Sequence, residues 1–295
     1  MRNRLLLLVS LLALSVGCSR DPIFDEVSKY RVDFDIRDNA LWCRKASPEL
    51  IQVMFYDPTS GKKVYETYLG PEGGYLYSIT PGRYNIVAFA MGDGATDIEY
   101  SRDFNLLSAR TKTIQTKPET VINAPDHLLV GTLTPVDIPY LSEADPLFRM
   151  TIPMSSICDS WKVVVKGVKG LEYTSSVSMY VYNQKAEVPI RTMQAEGSSA
   201  LSTKGAPNLP EGTLEIPFCT FGMNDGSISV RISIESLDRQ VHTAVFDVTD
   251  QVTDTSNDNH VITVEFPVEL LPPIQGGLDP SADEWDDHHE FIDVT

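Results

Sequence analysis

The chain has 295 residues, of which 41 are acidic and 24 basic, so its formal net charge is −17 at neutral pH. A surface this acidic repels nucleic acids and anionic lipid headgroups, which argues against nucleic acid as a partner. Hydrophobic residues make up 42 % of the chain, enough for the core of one large domain or of two ordinary ones.

Residues 1–17 have the composition of a secretory signal peptide: two arginines and then an apolar run too short to span a bilayer. Cys18 after Gly17 resembles the lipobox of bacterial lipoproteins, although Ser15 stands where that pattern prefers Leu. The resemblance implies that Cys18 is acylated, with palmitate among its chains, and becomes the first mature residue. The alternative is cleavage by ordinary signal peptidase, with Cys18 an incidental thiol.

Residues 18–27 form a predicted polar tether, and strand patterns follow it. Residues 30–36 alternate apolar and polar side chains, which predicts a strand with one solvated face. Residues 50–56 and 63–69 flank a turn and predict a hairpin. Residues 83–91 are apolar on both faces at their middle, so we expect a central strand there. Further strands are predicted at 75–79 and 128–136.

A polar segment at 139–146 is the predicted domain boundary. A second series of strand patterns follows it, at residues 148–155, 162–168, 177–182, 212–221, 227–236, 240–248 and 260–268. The stretch 195–210 is rich in Ser, Gly, Ala and Pro, which predicts a long exposed loop. Together these patterns predict an all-β protein of two successive β-sandwich domains, at 28–138 and 146–270.

Residues 271–295 form a distinct acidic segment after the second predicted domain. Its apolar side chains are Trp285, Phe291, Ile292 and Val294. This segment is either a final edge strand packed on its own domain or a strand that pairs with another protein.

Three cysteines remain after Cys18, at positions 43, 158 and 219. A disulfide framework uses an even number of cysteines at short spacings, so we do not expect a fold stapled by disulfides. One disulfide with one free thiol is compatible with an oxidising cell envelope. We favour three buried, unpaired thiols, because free cysteine behaves as a small hydrophobic residue.

Several short segments occur in a characteristic order along the chain. They are the lipobox at Cys18, Val-Asp-Phe-Asp-Ile at 32–36, Phe-Tyr-Asp at 55–57, Pro-Gly-Arg-Tyr-Asn-Ile-Val-Ala-Phe at 81–89, Phe-Asp-Val-Thr-Asp-Gln-Val at 246–252 and Gly-Gly-Leu-Asp-Pro-Ser-Ala-Asp-Glu-Trp at 276–285. In this order they resemble the Bacteroidota surface lipoproteins related to FimB-type fimbrial anchors and fimbrillin-like proteins.

That resemblance implies a fold, a location and partners. The fold is two tandem Greek-key β-sandwiches of the transthyretin-like type. The location is the outer membrane, where the lipid on Cys18 anchors the protein, and the cell surface is favoured over periplasmic retention. The partners are fimbrial subunits or other surface proteins. The family provides no catalytic residues, so we expect a protein that is not an enzyme.

Other site patterns in the sequence are weak. His288 and His289 stand beside carboxylates, but neighbouring strand residues point to opposite faces, so we favour a solvated tail over a metal site. The acidic residues at 250–258 lack the spacing of an EF-hand and indicate a polar loop. We therefore predict no metal and no cofactor. A hydrolase built on paired carboxylates remains an alternative, since such pairs meet only in the fold.

Five tyrosines crowd the first predicted domain, at positions 56, 65, 68, 75 and 77. An exposed row of them would suit sugar stacking or a protein partner, with Tyr75 and Tyr77 as the candidate glycan contacts. Cross-strand packing is the simpler interpretation. The predicted function is thus a non-catalytic fimbrial anchor, terminator or accessory subunit that acts through β-strand pairing, and the alternative is a glycan-binding surface lipoprotein.

Overall fold

The computed structural model describes residues 28–38, 41–43, 48–90, 95–115 and 118–273. Strands dominate these residues, so the predicted all-β class is confirmed, while the Greek-key count stays a prediction. No helix in the described ranges has the length and apolar character needed to cross a bilayer. The strands are β1 (Tyr30–Arg37), β2 (Ile51–Tyr56), β3 (Lys63–Leu69), β4 (Gly74–Tyr75), β5 (Gly82–Ala90), β6 (Thr96–Glu99), β7 (Ser108–Thr111), β8 (Thr113–Gln115), β9 (Val121–Asn123), β10 (Leu129–Ile138), β11 (Phe148–Ser156), β12 (Asp159–Lys169), β13 (Thr174–Gln184), β14 (Glu187–Pro189), β15 (Ser199–Asn208), β16 (Thr213–Thr220), β17 (Ser229–Ser236), β18 (Val241–Asp247) and β19 (Val261–Glu269).

Two short helical elements interrupt the strands of the second half. A 3₁₀ turn, Leu171–Tyr173, joins β12 to β13, and a one-turn helix, α1 (Thr249–Thr253), follows β18.

The first sheet has seven strands in the order β3-β2-β5-β10-β11-β1-β4. β10 and β11 share only two residue pairs, Leu129 with Ser156 and Val130 with Ser155, so the sheet divides at this junction. Side chains from both parts meet in one core, which includes Val32 and Ile152 from one part and Phe55 from the other.

β5 lies between β2 and β10, as its apolar sequence predicts. Its alternate side chains point to opposite faces of the sheet. Ile86 and Ala88 belong to the core of the first sheet, whereas Val87 and Phe89 enter a different cluster on the other face. β1 also follows its predicted pattern, because Val32 is buried and its apolar neighbours at alternate positions pack against the same core.

The second sheet follows the path β18-β17-β13-β15-β16-β12-β19, and its central strand β15 links the two layers of a sandwich. The first half of β15 pairs with β13, and residues 206–208 pair with β16. The exposed loop expected at 195–210 is therefore wrong over β15. Small residues suit this crossing, since a Cβ added to Gly205 would lie 2.5 Å from Cγ1 of Ile216 and 3.0 Å from the carbonyl oxygen of Glu215.

Strands from the two predicted domains interleave. β11, assigned from sequence to the second domain, pairs in parallel with β1 along all eight residues of that strand in the first sheet. β9 pairs with β15 in the second sheet, and β14 pairs with β7 in a third, three-stranded sheet. The segment 139–146 thus does not separate the strands of the two main sheets, and the division into two domains stays a prediction.

A third apolar cluster, which we call the junction cluster, joins the two main sheets. It contains Met54, Tyr56, Val87 and Phe89 from the first sheet and Val188, Ile190, Cys219 and Phe221 from later segments.

Cys43 forms a disulfide with Cys219 at this cluster, with 2.07 Å between the sulfurs and 6.3 Å between the Cα atoms. Cys158 is the free, buried cysteine of the described residues. The favoured expectation of three unpaired thiols is therefore wrong. The prediction failed because the wide separation in sequence gave no sign of the contact: packing at the junction cluster brings β16 against the segment at residues 41–43.

The contact between β10 and β11 predicts a strong effect of a small substitution. A Cβ added to Gly131 would lie 2.4 Å from the carbonyl oxygen of Pro153 and 2.7 Å from Cγ2 of Ile152. We expect Gly131→Ala to lower the free energy of unfolding by about 1–3 kcal/mol, because overpacking forces backbone shifts. Urea denaturation followed by tryptophan fluorescence measures this.

Gly70→Ala is the matched control, since its Cβ would meet the mobile end of Glu72 at 3.5 Å. We expect a change within about 0.5 kcal/mol for this control. Equal stabilities for the two variants would contradict the close approach of β10 to β11.

Candidate functional site

Four strands end the main paths of the two large sheets: β3 and β4 in the first, β18 and β19 in the second. An unpaired strand edge presents a row of backbone donors and acceptors, which is a template for another strand. The four edges differ in what covers them, and that difference identifies the candidate site.

Side-chain amides close the outer edge of β19. Gln251 of α1 donates to the carbonyl oxygen of Thr263 at 3.0 Å and accepts from its N–H at 2.8 Å. Asn257 repeats this with Val261, at 3.0 Å and 3.2 Å. Farther along, Pro267 has no N–H to offer. β19 therefore has little free backbone for an incoming strand.

The edges of the first sheet are short or partly occupied. β4 has only two residues, and the guanidinium of Arg31 lies 5.4 Å from the ring centroid of Tyr75. At the start of β3, the N–H of Lys63 donates to the carbonyl oxygen of Arg102 at 3.1 Å, and Lys62 forms an ion pair with Asp103. Charges and short strands of this kind discourage edge pairing.

β18 is the open edge. It pairs with β17 from Val241 to Asp247, and no strand among the described residues pairs with its other side. It contains no Lys, Arg or Pro, the residues that commonly protect an edge. Val241 and Val245 are 63 % and 62 % exposed. Four of the seven residues of this edge are apolar, the others being His242, Thr243 and Asp247, and an edge of this kind is suited to receive a strand.

The inward side chains of β18 lie beside β19, in the region that we call the mouth of the second sandwich. Ala244 and Phe246 are half-buried against its core. The ring of Phe246 meets that of Phe266 on β19 edge to face, with 5.9 Å between centroids. A strand added to β18 would cover this partly exposed apolar surface, and each square ångström removed from water contributes roughly 25 cal/mol.

Contacts on the outer face hold β18 and its neighbours in register. Val245 lies opposite Arg231 on β17, which in turn lies opposite Tyr180 on β13. The guanidinium of Arg231 is 4.5 Å from the ring centroid of Tyr180, a cation–π contact. The hydroxyls of Ser233 and Thr243 are 3.0 Å apart in the next row. The open edge is thus part of a firmly connected sheet.

One cluster of polar side chains, formed by Ser156, His127 and Asp38, was not indicated by any sequence pattern. Ser156 Oγ lies 3.2 Å from Nδ1 of His127, and Nε2 of His127 lies 2.6 Å from Oδ1 of Asp38. A serine nucleophile must be accessible to its substrate. Here the imidazole is 2 % exposed, and Ser156 Oγ accepts from the N–H of Cys158 at 3.0 Å. These contacts favour a structural role that joins the ends of β1 and β11 to the start of β10.

The thiol of Cys158 is similarly unsuited to nucleophilic chemistry. Burial raises the pKa of Cys158 to about 12, and its Sγ lies 3.2 Å from the carbonyl oxygen of Asp126. Since the thiolate is the reactive form, this cysteine stays protonated near neutral pH.

The five crowded tyrosines do not form one row. Tyr56 is buried in the junction cluster. Tyr65 packs edge to face on Phe55, with 5.4 Å between centroids, and donates its O–H to the carbonyl oxygen of Tyr77 at 2.7 Å. Tyr75 lies beneath an arginine, while Tyr77 is 59 % exposed. Cross-strand packing explains Tyr56 and Tyr65, and a glycan role for Tyr75 and Tyr77 stays a prediction.

Metal ligands do not converge in the described part of the chain, where no group of three or more His, Cys, Asp or Glu side chains could hold an ion. The acidic stretch at 250–258 contains a polar turn, in which Asp254 Oδ1 accepts from the N–H of Ser256 at 2.9 Å. Cys18, His288, His289 and the segment 285–294 lie outside the described residues.

Comparison with known sequences gives two matches. The model of the family described as "Domain of unknown function (DUF5119)" matches residues 17–192. A curated protein of Bacteroides ovatus, named "Putative fimbrium anchoring subunit Fim4B", is 26 % identical over 180 residues, which are 60 % of this chain and 52 % of the relative. The chain thus spans about half the length of that relative. The predicted relationship to fimbrial-anchor proteins is confirmed.

Solved structures share the fold. A crystal structure of a "putative adhesin" from Bacteroides ovatus superimposes with a TM-score of 0.58 at 20 % identity, covering 88 % of this chain and 99 % of that one. A structure described as "putative polysaccharide binding proteins (DUF1812)" from Bacteroides thetaiotaomicron has a TM-score of 0.50 at 13 % identity, with 82 % and 91 % covered. At these identities the likeness concerns the fold alone.

The buried histidine gives a test of its structural role. We expect His127→Ala to lower the free energy of unfolding by about 1–3 kcal/mol, because the contacts to Ser156 and Asp38 are lost inside the protein. Chemical denaturation measures this. His127→Gln, whose amide can keep one of the two hydrogen bonds, should cost less. Two variants as stable as the unmodified protein would contradict the structural role.

Proposed function

Because this chain belongs to the DUF5119 family, a family defined without a known function, we propose its role from its own features: it is a lipid-anchored fimbrial anchor or accessory subunit. The observation that carries the proposal is the open edge of β18. The relative named as a fimbrium anchoring subunit supports it, as does the fold shared with the structure described as a "putative adhesin". The role is binding rather than catalysis.

Membrane attachment is the first part of the proposed mechanism. The lipid on Cys18 holds the protein in the outer membrane, and residues 18–27 act as the tether to β1. Each buried methylene of an acyl chain contributes about 0.8 kcal/mol, and two chains already anchor a protein stably. The folded part then faces outward at the cell surface. No transmembrane helix is needed for this arrangement.

Strand pairing is the second part. A fimbrial subunit places an extended strand beside β18, where backbone groups provide affinity and the alternating side chains of the mouth select the sequence. The acidic C-terminal segment, with Trp285, Phe291, Ile292 and Val294, is the strand that this protein gives to a neighbouring subunit. The net charge of −17 disfavours nonspecific binding to other anionic surfaces.

Glycan binding is the second candidate function, and the exposed ring of Tyr77 favours it. Stacking of a sugar on this ring would need no strand edge. Affinity electrophoresis on a panel of polysaccharides separates the two functions. Retardation that is lost in Tyr75→Ala or Tyr77→Ala would favour the glycan role over the anchor role.

Lipid attachment predicts a change of cell fraction. We expect Cys18→Ala to remove the protein from the outer-membrane fraction of the native host, because no acylated cysteine remains to hold it there. Immunoblots of fractionated cells measure this. Cys158→Ala is the control and should stay in the membrane fraction. An unchanged distribution of the Cys18 variant would rule out lipid anchoring.

The strand edge predicts a selective loss of partner. We expect Val241→Lys together with Val245→Lys to reduce recovery of fimbrial subunits from crosslinked host cells about tenfold, the effect of roughly 1.4 kcal/mol. Both side chains are exposed, so folding should be retained. Val64→Lys is the matched control, since Val64 is 55 % exposed on β3, an edge strand of the first sheet with the same length of seven residues.

Deletion of residues 279–295 tests the donated strand separately. Loss of subunits in the deletion alone would assign the contact to the C-terminal segment, and loss in the β18 variant alone would assign it to the edge. Recovery unchanged in both variants would overturn strand pairing as the mechanism.

A further inference from the structure

Residues 41–43 are fixed on the second sandwich by four kinds of contact. Cys43 is bonded to Cys219. The N–H groups of Trp42 and Cys43 both donate to Ser160 Oγ, at 2.8 Å and 2.9 Å. The indole N–H of Trp42 donates to the carbonyl oxygen of Asn259 at 2.6 Å, and Nζ of Lys162 lies 3.9 Å from the centroid of a ring of Trp42. These contacts hold the cross-linked segment against β12 and β16 of the second sandwich.

The disulfide encloses most of the fold. The bonded cysteines are 176 positions apart in sequence. Strands β2 to β15 and most of β16 lie between them, whereas β1 precedes Cys43 and strands β17 to β19 follow Cys219. The enclosed part includes two of the three pairings that interleave the two halves, β9 with β15 and β7 with β14, whereas the third joins β1 outside the loop to β11 inside it.

We infer that the Cys43–Cys219 disulfide is a covalent shortcut for tension: once the strands outside the bond have been pulled away, the chain carries a pull between its two ends without loading the strands that the bond encloses. The inference rests on the proposed function for its biological setting. There, force enters at the lipid on Cys18 and leaves through a partner strand at β18. The first point lies before Cys43 and the second lies after Cys219, so the shortest covalent route crosses the bond.

The outer strands determine how the protein responds to force. β1 lies on the route and is held by its parallel pairing with β11 and by two residues of β4. If force removes β1, the chain lengthens only as far as Cys43, where the bond to Cys219 takes the tension. The junction cluster and the interleaved strands then stay folded. Without the bond, the same pull would continue into β2 and open the first sheet.

The surroundings of the bond limit exchange at the Cys219 sulfur, while Cys43 is partly buried. A disulfide breaks when a thiolate reaches one of its sulfurs. Cys219 is buried, and the free cysteine of the same cluster, Cys158, is buried as well. Burial raises the pKa of Cys158 to about 12, so its thiol does not ionise near neutral pH and does not attack the neighbouring disulfide.

Single-molecule force spectroscopy tests the shortcut directly. The mature chain with Cys18→Ser is stretched between two handles, one fused to each end, until it is fully extended. Dithiothreitol is then added to the same molecules. We expect one further lengthening of about 60 nm, because reduction releases 176 residues at no more than about 3.6 Å each.

Two variants complete the experiment. Cys219→Ser should reach the long extension without reductant, and Cys158→Ala should behave as the unmodified chain does. If Cys219→Ser fails to fold, the extension of the chain with Cys18→Ser alone, measured before and after dithiothreitol, still tests the shortcut. A chain that reaches its full extension before reductant is added would overturn the shortcut. No fimbrial partner is present, so the result is independent of the proposed function.

Discussion

The junction cluster is the packing on which the rest of the structure depends. β2 and β5 place alternate side chains in two different cores, so the first sheet is buried on both faces there. Protein interiors are close-packed and contain few voids. The side chains from the two halves of the chain must therefore fit each other at this surface. The Cys43–Cys219 disulfide and the paired strands β7 and β14 lie at the same cluster. Strands from the two halves of the chain thus interleave around this packing, and the division into two domains stays a prediction.

The connected sheets hold the open edge of β18 in place through its pairing with β17. A single apolar edge strand is a hazard for aggregation unless the protein uses it. Here the amides of Gln251 and Asn257 close β19, which faces the same sandwich mouth, while no side chain of the described residues closes β18 in this way. Both edges belong to the same sandwich, so they differ in the side chains that bond to their backbones. A partner strand at β18 would therefore meet a strand held in register by its neighbours, and the disulfide would connect that surface covalently with the residues before Cys43.

Local sequence patterns predicted many of the strands, but the strand expected at 75–79 is wrong beyond Tyr75, where β4 ends. β1 and β5 follow from alternation and from a doubly apolar run, because side-chain direction along a strand has a period of two residues. The same reasoning failed at β15, where a composition typical of loops forms a strand whose small residues permit a close crossing at Gly205. The candidate site was predictable only as a type: the sequence indicated strand pairing but not β18, since nothing in Val241–Asp247 indicates that no strand of the described residues pairs with its outer side.

By itself, the sequence determined the all-β class, the order of most strands and the relationship to fimbrial-anchor proteins, because periodicity and motif order are local properties of the chain. Only the tertiary structure decided that β11 joins β1, that Cys43 meets Cys219 and that His127 lies between Ser156 and Asp38. Each of these contacts links residues far apart in sequence. Their formation depends on the free energy of packing the whole chain, and no short segment contains that information.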